Sequence, residues 1–207
     1  GAMTPDLLAT EIDATAAMTD KPFGVNLITM HPDLDRLIDI CLDKKVGHII
    51  LAGGLPGGPA IARAKEGGAK VVCFAPTLSL AKRLIKQGAD ALVIEGAEAG
   101  GHIGPVATSV LAQEILPNID DVPVFIAGGI GLGAAIVGYL EMGASGCQLG
   151  TRFVCAEESI AHDKFKNAFI RASARDAVPS VQLDPQFPVI PVRALQNDAT
   201  REFQQTQ

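Results

Sequence analysis

The 207 residues carry a formal net charge of −6, with no Lys/Arg cluster and no basic–aromatic stripe, which excludes nucleic acid as the main partner. Hydrophobic residues make up 48% and charged residues 19%, with 22 glycines and no tryptophan, a profile that suits buried parallel strands joined by glycine-rich loops. No apolar run is long enough to cross a bilayer and no signal peptide is recognisable, so a membrane is not an expected partner. Cys41, Cys73, Cys147 and Cys155 form no C-x-x-C pair, which argues for a reducing, cytoplasmic setting over a disulfide framework.

In chain order, strands are expected at Phe23–Ile28, His48–Ala52, Lys70–Phe74, Ala91–Ile94, Val124–Ala127 and Gly146–Leu149. Each is short, apolar and bounded by glycine or proline, as strands covered on both faces are. Helices are expected between them at Asp33–Lys44, Pro59–Glu66, Ser79–Gln87, Val106–Leu116 and Gly131–Met142, with Ser79 and Thr108/Ser109 as start signals. Three helices run into a Gly-Ala pair, Gly68-Ala69, Gly88-Ala89 and Gly143-Ala144, where a left-handed C-cap turns the chain back. From Ala156 the character changes. Ser159–Ser173 is amphipathic, Val178 to Val192 is proline-rich and extended, and Asn197–Gln205 is polar and helical.

Repeated βα units give either a (β/α)8 barrel or a doubly wound open sheet. Glycine-rich or polar segments follow nearly every strand here, which fits a barrel whose site is assembled from all its βα loops. An open sheet would concentrate that chemistry at one switch point. The expected fold is therefore an α/β barrel of the TIM type. Six strands do not close a barrel of eight, so its first two strands are expected to be lacking. Residues 1–155 read as the cofactor-binding barrel portion and 156–207 as a helical and extended segment packed on it, inserted after the last strand.

The segment from Glu95 to Gly104, Glu-Gly-Ala-Glu-Ala-Gly-Gly-His-Ile-Gly, is the most informative in the chain. Adjacent glycines at a strand's end let backbone amides approach a ligand, because no Cβ intervenes. A phosphate would suit that place, beside the free N–H groups of a helix N-terminus. His102 sets a titratable group next to it. The combination points to a phosphorylated cofactor with an acid or base alongside. No Gly-x-Gly-x-x-Gly fingerprint follows a strand, which speaks against dinucleotide binding in the Rossmann manner. No metal-ligand spacing occurs.

Thr19-Asp20-Lys21-Pro22-Phe23-Gly24-Val25-Asn26, Gly88-Ala89-Asp90-Ala91, Glu95 through Gly104, Ala127-Gly128-Gly129-Ile130 and Gln148-Leu149-Gly150-Thr151-Arg152-Phe153 together have the look of one family. The set resembles the FMN-dependent (β/α)8 flavoproteins that include nitronate monooxygenases (2-nitropropane dioxygenases) and enoyl-acyl-carrier-protein reductase II. Val192-Arg193-Ala194-Leu195 and Asn197 resemble the family's post-barrel region. The family begins with two further βα elements and runs on past Gln207, so this sequence is expected to be part of a longer record.

The resemblance implies FMN as cofactor. It places Gly100, Gly101, Gly128, Gly129, Gly150 and Thr151 around the phosphate, Ala99 among the cofactor-binding residues, Asn26 near the isoalloxazine, and Gln148 against the flavin or its ribityl chain. The phosphate reading agrees with the physics, since convergent amides and a hydroxyl bind a dianion without a buried cation. Gln148, read as buried, needs hydrogen-bond partners. Taken alone, Asn26 reads equally well as a turn former, and His102 as a loop histidine bonded to backbone. With the resemblance, His102 is the catalytic candidate, a proton donor or a group that orients the flavin edge. His31 is a weaker candidate at the pocket mouth, and His48 and His162 read as ordinary polar positions. Glu95 and Glu98 flank the phosphate loop and read as supporting or solvated groups.

One departure bears on function. Well-studied nitronate monooxygenases carry a histidine base after the strand that here ends at Phe74, and this chain reads Ala75-Pro76-Thr77-Leu78-Ser79-Leu80. Oxidation of neutral nitroalkanes is therefore not expected, while preformed nitronates remain suitable. The leading expectation is an FMN-dependent, nitronate monooxygenase-type oxidation of alkyl nitronates with O2. The alternatives are an NAD(P)H-dependent enoyl-thioester reductase and a non-catalytic flavoprotein fragment. Expected partners are a small-molecule substrate, nitronate or enoyl thioester, with NAD(P)H in the reductase case; a homodimer is left open.

Overall fold

The structure, a computed structural model, describes residues 3–180 and 191–205. It divides into two compact units, Gly1–Val93 with Pro117–Val124, and Ile94–Leu116 with Phe125–Gln207.

The first unit opens with a helix that the sequence reading leaves unassigned, α1 (Pro5–Met18). Thr4 caps it, its Oγ1 accepting from Leu7 N at 3.3 Å, with Pro at the first helical position and Asp6 in the first turn. Only Pro5, Leu8 and Ile12 are buried, so its apolar stripe is narrow. There follow β1 (Gly24–Ile28), α2 (Leu34–Asp43), β2 (His48–Ala52), α3 (Gly58–Glu66), β3 (Lys70–Phe74), α4 (Leu78–Lys86) and β4 (Ala91–Glu95), whose last two residues open the second unit. β1 pairs with β2 and β2 with β3, all parallel, in a register that sets Leu27, Leu51 and Cys73 in one row and Asn26, Ile50 and Val72 in the next. The first row is fully buried, as are Ile49 and Val71, whereas Ile50 and Val72 are half-buried. Alternation along each strand thus gives the sheet one sealed face, covered by the helices, and one more open face.

Helix ends follow the Gly-Ala expectation. Gly68, Gly88 and Gly143 have φ of +90°, +103° and +101°. In each case the glycine N–H and the following alanine N–H return to carbonyls of the last turn, as in Gly88 N to Ile85 O at 2.9 Å and Ala89 N to Leu84 O at 3.0 Å. At the end of α2 the same pair of bonds is made by Lys45 and Val46, and Lys45 takes φ +57° with a side chain in place. Left-handed backbone costs an L-residue about 1–2 kcal/mol. Part of that is offset by the extra entropy a glycine loses on folding. Lys45→Gly is accordingly expected to raise the urea midpoint, by up to about 1 kcal/mol of stability. The start of α4 differs from the expected Ser79: Thr77 is the cap, its Oγ1 accepting from Leu80 N at 3.2 Å.

The second unit continues from Ile94 through β5 (Gly101–His102), α5 (Thr108–Ile115) with a short 3-10 turn at Leu116–Asn118, β6 (Val124–Ala127), α6 (Gly133–Glu141), β7 (Gly146–Gln148) and α7 (Thr151–Val154). Val124 and Pro117–Asn118 belong to the first unit. After α7 come α8 (Asp163–Arg171), β8 (Ala177–Pro179), β9 (Val192–Leu195) and α9 (Asp198–Gln205). The amphipathic stretch expected over Ser159–Ser173 is helical only at its centre. Of the extended segment Val178 to Val192, residues 181–190 lie outside the described residues, and the ends form β8 and β9. β5, β9 and β8 make a small antiparallel sheet in that order, and the parallel strands follow the order β1-β2-β3-β4-β6-β7.

Candidate functional site

The second unit brings together the glycine loops expected to hold a phosphate. The chain leaves β4 at Glu95 and enters Gly96, which is pressed so closely on the start of α5 that a Cβ there would collide with Thr108 N and Val106 O. Two residues on, Glu98 turns its carboxylate to the same place. Its Oε2 accepts from Thr108 N at 2.8 Å and Thr108 Oγ1 at 2.9 Å, and Thr108 is 1% exposed. Here the structure corrects the sequence reading. The protein's own Glu98 takes the Thr108 amide at the N-terminus of α5, so that amide is not free for a phosphate, and the N-cap position is Ala107, not Thr108 or Ser109. Glu98 is exposed, and through Oε2 it fastens the loop to the helix as a supporting group.

The six glycine and threonine positions then separate into two groups. Gly128 (φ +97°) lies against Ala99, where an added Cβ would meet Ala99 N at 2.8 Å and Ala99 Cα at 2.9 Å. Gly129 (φ +70°) would meet Glu98 Cβ at 3.0 Å. Their lack of a side chain is explained by the close approach of the two loops. Ala99 itself is buried, and its N–H is bonded to Gly96 O. Gly101 and Gly150 differ, for a Cβ at either meets no atom within 4 Å. A Cβ at Gly100 would lie 4.0 Å from Thr151 Oγ1, which places that hydroxyl opposite the glycine pair. Gly150 is the N-cap of α7, with no side-chain cap and no acid in the first turn. Gly100 thus faces the Thr151 hydroxyl, and Gly101 and Gly150 have open space where a Cβ would stand.

His102 is exposed and sits in β5, opposite Val192 of β9, with Gly101 opposite Arg193. A strand fixes the backbone of His102 where the sequence reads as a free loop. Gln148 is the last residue of β7, opposite Ala127, and is exposed, so the argument from a buried amide does not apply to it. Asn26 belongs to the first unit. It is exposed at the middle of β1, opposite Ile50, which removes the reading as a turn former. His31, also in the first unit, spends Nδ1 on Asp33 N at 3.0 Å, and His162 caps α8 through Nδ1 to Lys164 N.

Two residues are more prominent than the sequence suggested. Burial alone pushes the Glu95 carboxyl up to about 7, a value suited to proton exchange near neutral pH. The signal for it was an acid closing the apolar run Ala91-Leu92-Val93-Ile94. Arg193, quoted above only as part of a resemblance, donates from Nε to Ala97 O at 2.9 Å and from Nη1 to Ala177 O.

The nitronate monooxygenase family profile matches residues 30–207. The chain is 34% identical over 204 residues to the (3aS,4S,5R,7aS)-5-hydroxy-7a-methyl-1-oxo-octahydro-1H-indene-4-carboxyl-CoA dehydrogenase of Rhodococcus jostii (strain RHA1), covering 98% of this chain and 56% of that protein. Among solved structures, FabK from Thermotoga maritima is 38% identical with a TM-score of 0.92, covering 100% of this chain and 64% of that one. Nitroalkane oxidase from Streptomyces ansochromogenes is 28% identical with a TM-score of 0.83, covering 98% and 69%. The chain spans about half the length of the curated relatives it matches. The six parallel strands correspond to part of the TIM barrel of these structures. The chain belongs to the nitronate monooxygenase and FabK family of FMN-dependent TIM-barrel oxidoreductases.

Proposed function

We propose that this protein is an FMN-dependent oxidoreductase whose substrate is an unsaturated acyl thioester, with His102 as the proton donor. The observation that carries the reading is the placement of His102: exposed, next to the open Gly100-Gly101 pair, its backbone held in a strand. The phosphate of FMN would be held by Gly100, Gly101, Gly150 and Thr151, with Gly128 and Gly129 supporting them through Ala99 and Glu98. Gln148 is assigned to the flavin or its ribityl chain, as the family resemblance implies. When bound, FMN supplies hydride transfer between a pyridine nucleotide and the thioester's β-carbon. His102 delivers the accompanying proton, for which an imidazole held within reach of the reacting carbon is worth about 10²–10⁴-fold in rate. The likeness to a CoA-thioester dehydrogenase and to FabK supports the thioester class.

Nitronate oxidation with O2 is the second reading, favoured by the family profile and the likeness to nitroalkane oxidase. Ala75-Pro76-Thr77 supplies no base, so only preformed nitronates fit it. We read residues 1–155 as the FMN-binding barrel portion and 156–207 as a segment packed on it, in keeping with the pairing of β9 to β5. Four free cysteines accord with a cytoplasmic setting. Among the described residues no helix is long and apolar enough to cross a membrane.

One anaerobic experiment separates the readings. The full-length protein is mixed with NADH or NADPH and flavin absorbance is followed, then an enoyl thioester is added; a separate sample receives an alkyl nitronate. Bleaching by nucleotide, recovery with thioester, and a recovery slowed about 10²–10⁴-fold in His102→Ala is the expected result. Bleaching by nitronate alone would transfer the assignment to the second reading. A protein that stays colourless with added FMN would overturn both.

A further inference from the structure

We propose that Arg193 is a positioning residue for the His102 loop, acting through the backbone of Ala97 and not on substrate; this rests on the assignment of that loop to the cofactor and proton-donor site. The tie is made twice. Through its backbone, Arg193 stands opposite Gly101, Val192 stands opposite His102, and Ile103 N donates to Pro191 O at 2.9 Å. Through its side chain, Nε reaches Ala97 O at 2.9 Å at the other end of the glycine segment. Arg193 therefore ties Ala97 and Gly101, and Pro191, two residues earlier, ties Ile103, across a stretch containing two adjacent glycines whose freedom would otherwise be large. The second arm of the guanidinium, Nη1, is anchored on Ala177 O of β8, so the fork spans a strand and the loop together.

Both acceptors are neutral carbonyls. Among the described residues Arg193 forms no ion pair. A rigid planar fork can serve two diverging carbonyls at once, and a lysine ammonium on a flexible stem does so poorly. The need for such a tie follows from the chemistry, because a proton donor misplaced by about 1 Å loses on the order of 10²-fold in rate. The tail after the last parallel strand is thereby assigned a task in the site.

The test uses Arg193→Ala and Arg193→Lys, with amide hydrogen exchange and FMN affinity as separate readouts. In Arg193→Ala the Ile103 amide is expected to exchange at least tenfold faster, while the amides of Leu111 and Ile126 keep their rates. FMN affinity is expected to fall about tenfold with a changed flavin absorbance band, and Arg193→Lys to recover only part of both. Uniform acceleration at all three amides would mean a merely structural residue and overturn the proposal. So would unchanged exchange at Ile103, full rescue by lysine, or faster exchange with unaltered flavin affinity. If the unsubstituted protein binds no FMN, the cofactor reading fails and, with it, the role assigned to Arg193. The Ile103 exchange then still reports whether the tie exists. Should Arg193→Ala not fold, Arg193→Lys carries the same comparison, and equal Ile103 rates would overturn the proposal.

Discussion

Gly100→Val is expected to strip FMN from the protein while leaving it folded, whereas Gly128→Ala is expected to damage the fold itself. The two glycines lie on facing loops and look equivalent in sequence, but their surroundings differ. A Cβ at Gly100 meets only Thr151 Oγ1, at 4.0 Å, and Gly100 is not among the positive-φ glycines. Valine can therefore adopt that backbone, and its methyls enter the space between the glycine pair and the hydroxyl. Two displaced charge-assisted bonds at about 1.5–3 kcal/mol each would lower FMN affinity by on the order of 100-fold or more. At Gly128 the added Cβ meets backbone atoms of Ala99 at 2.8 Å and 2.9 Å, with φ at +97°. Overpacking of about 1–3 kcal/mol adds to about 1–2 kcal/mol for the left-handed backbone, so a loss of about 2–5 kcal/mol is expected. Flavin content per chain and the urea midpoint, measured on both variants, check the contrast. Full flavin in Gly100→Val would remove the phosphate assignment, and a wild-type midpoint in Gly128→Ala would remove the packing argument.

The same contrast shows what the sequence could and could not convey. His48–Ala52, Lys70–Phe74 and Val124–Ala127 are read to the residue, because a short apolar run bounded by glycine or proline has few other solutions. The left-handed turns at Gly68, Gly88 and Gly143 are equally local. What is lost depends on partners far along the chain. Glu98 caps a helix ten residues away, so no Ser or Thr signal at Thr108 reveals it. β5 is two residues long and exists only because β9, some ninety residues later, lies beside it. Gln148 is exposed although its strand neighbours are apolar, since burial is decided by what packs above it and not by hydropathy. α1 is a different case. Thr4-Pro5-Asp6 is a legible start signal, but Pro5, Leu8 and Ile12 make too thin a stripe to announce a helix.

Glu95→Gln is expected to stabilise the protein at pH 8 and to do little at pH 4. Glu95 closes β4 directly after Ile94, which is fully buried, and burial holds its carboxyl up at about 7 against an ordinary value of 4.5. Between those two values the folded chain keeps a proton that the unfolded chain has released. Stability therefore falls as pH rises from about 4.5 to about 7, and the cost of the buried carboxylate is present in full above that range. A shift of one unit corresponds to about 1.4 kcal/mol. Glu95 is only partly buried, so solvent screening reduces the sum, and a cost on the order of 1–2 kcal/mol at pH 8 is the appropriate figure. Glutamine keeps the shape and cannot ionise, so its urea midpoint should rise above that of the parent at pH 8 and converge with it at pH 4. Parallel midpoints across that range would show that Glu95 does not titrate where its burial places it. A convergent pair would establish a carboxyl that exchanges protons near neutral pH, seven residues before His102 on the strand that leads into its loop.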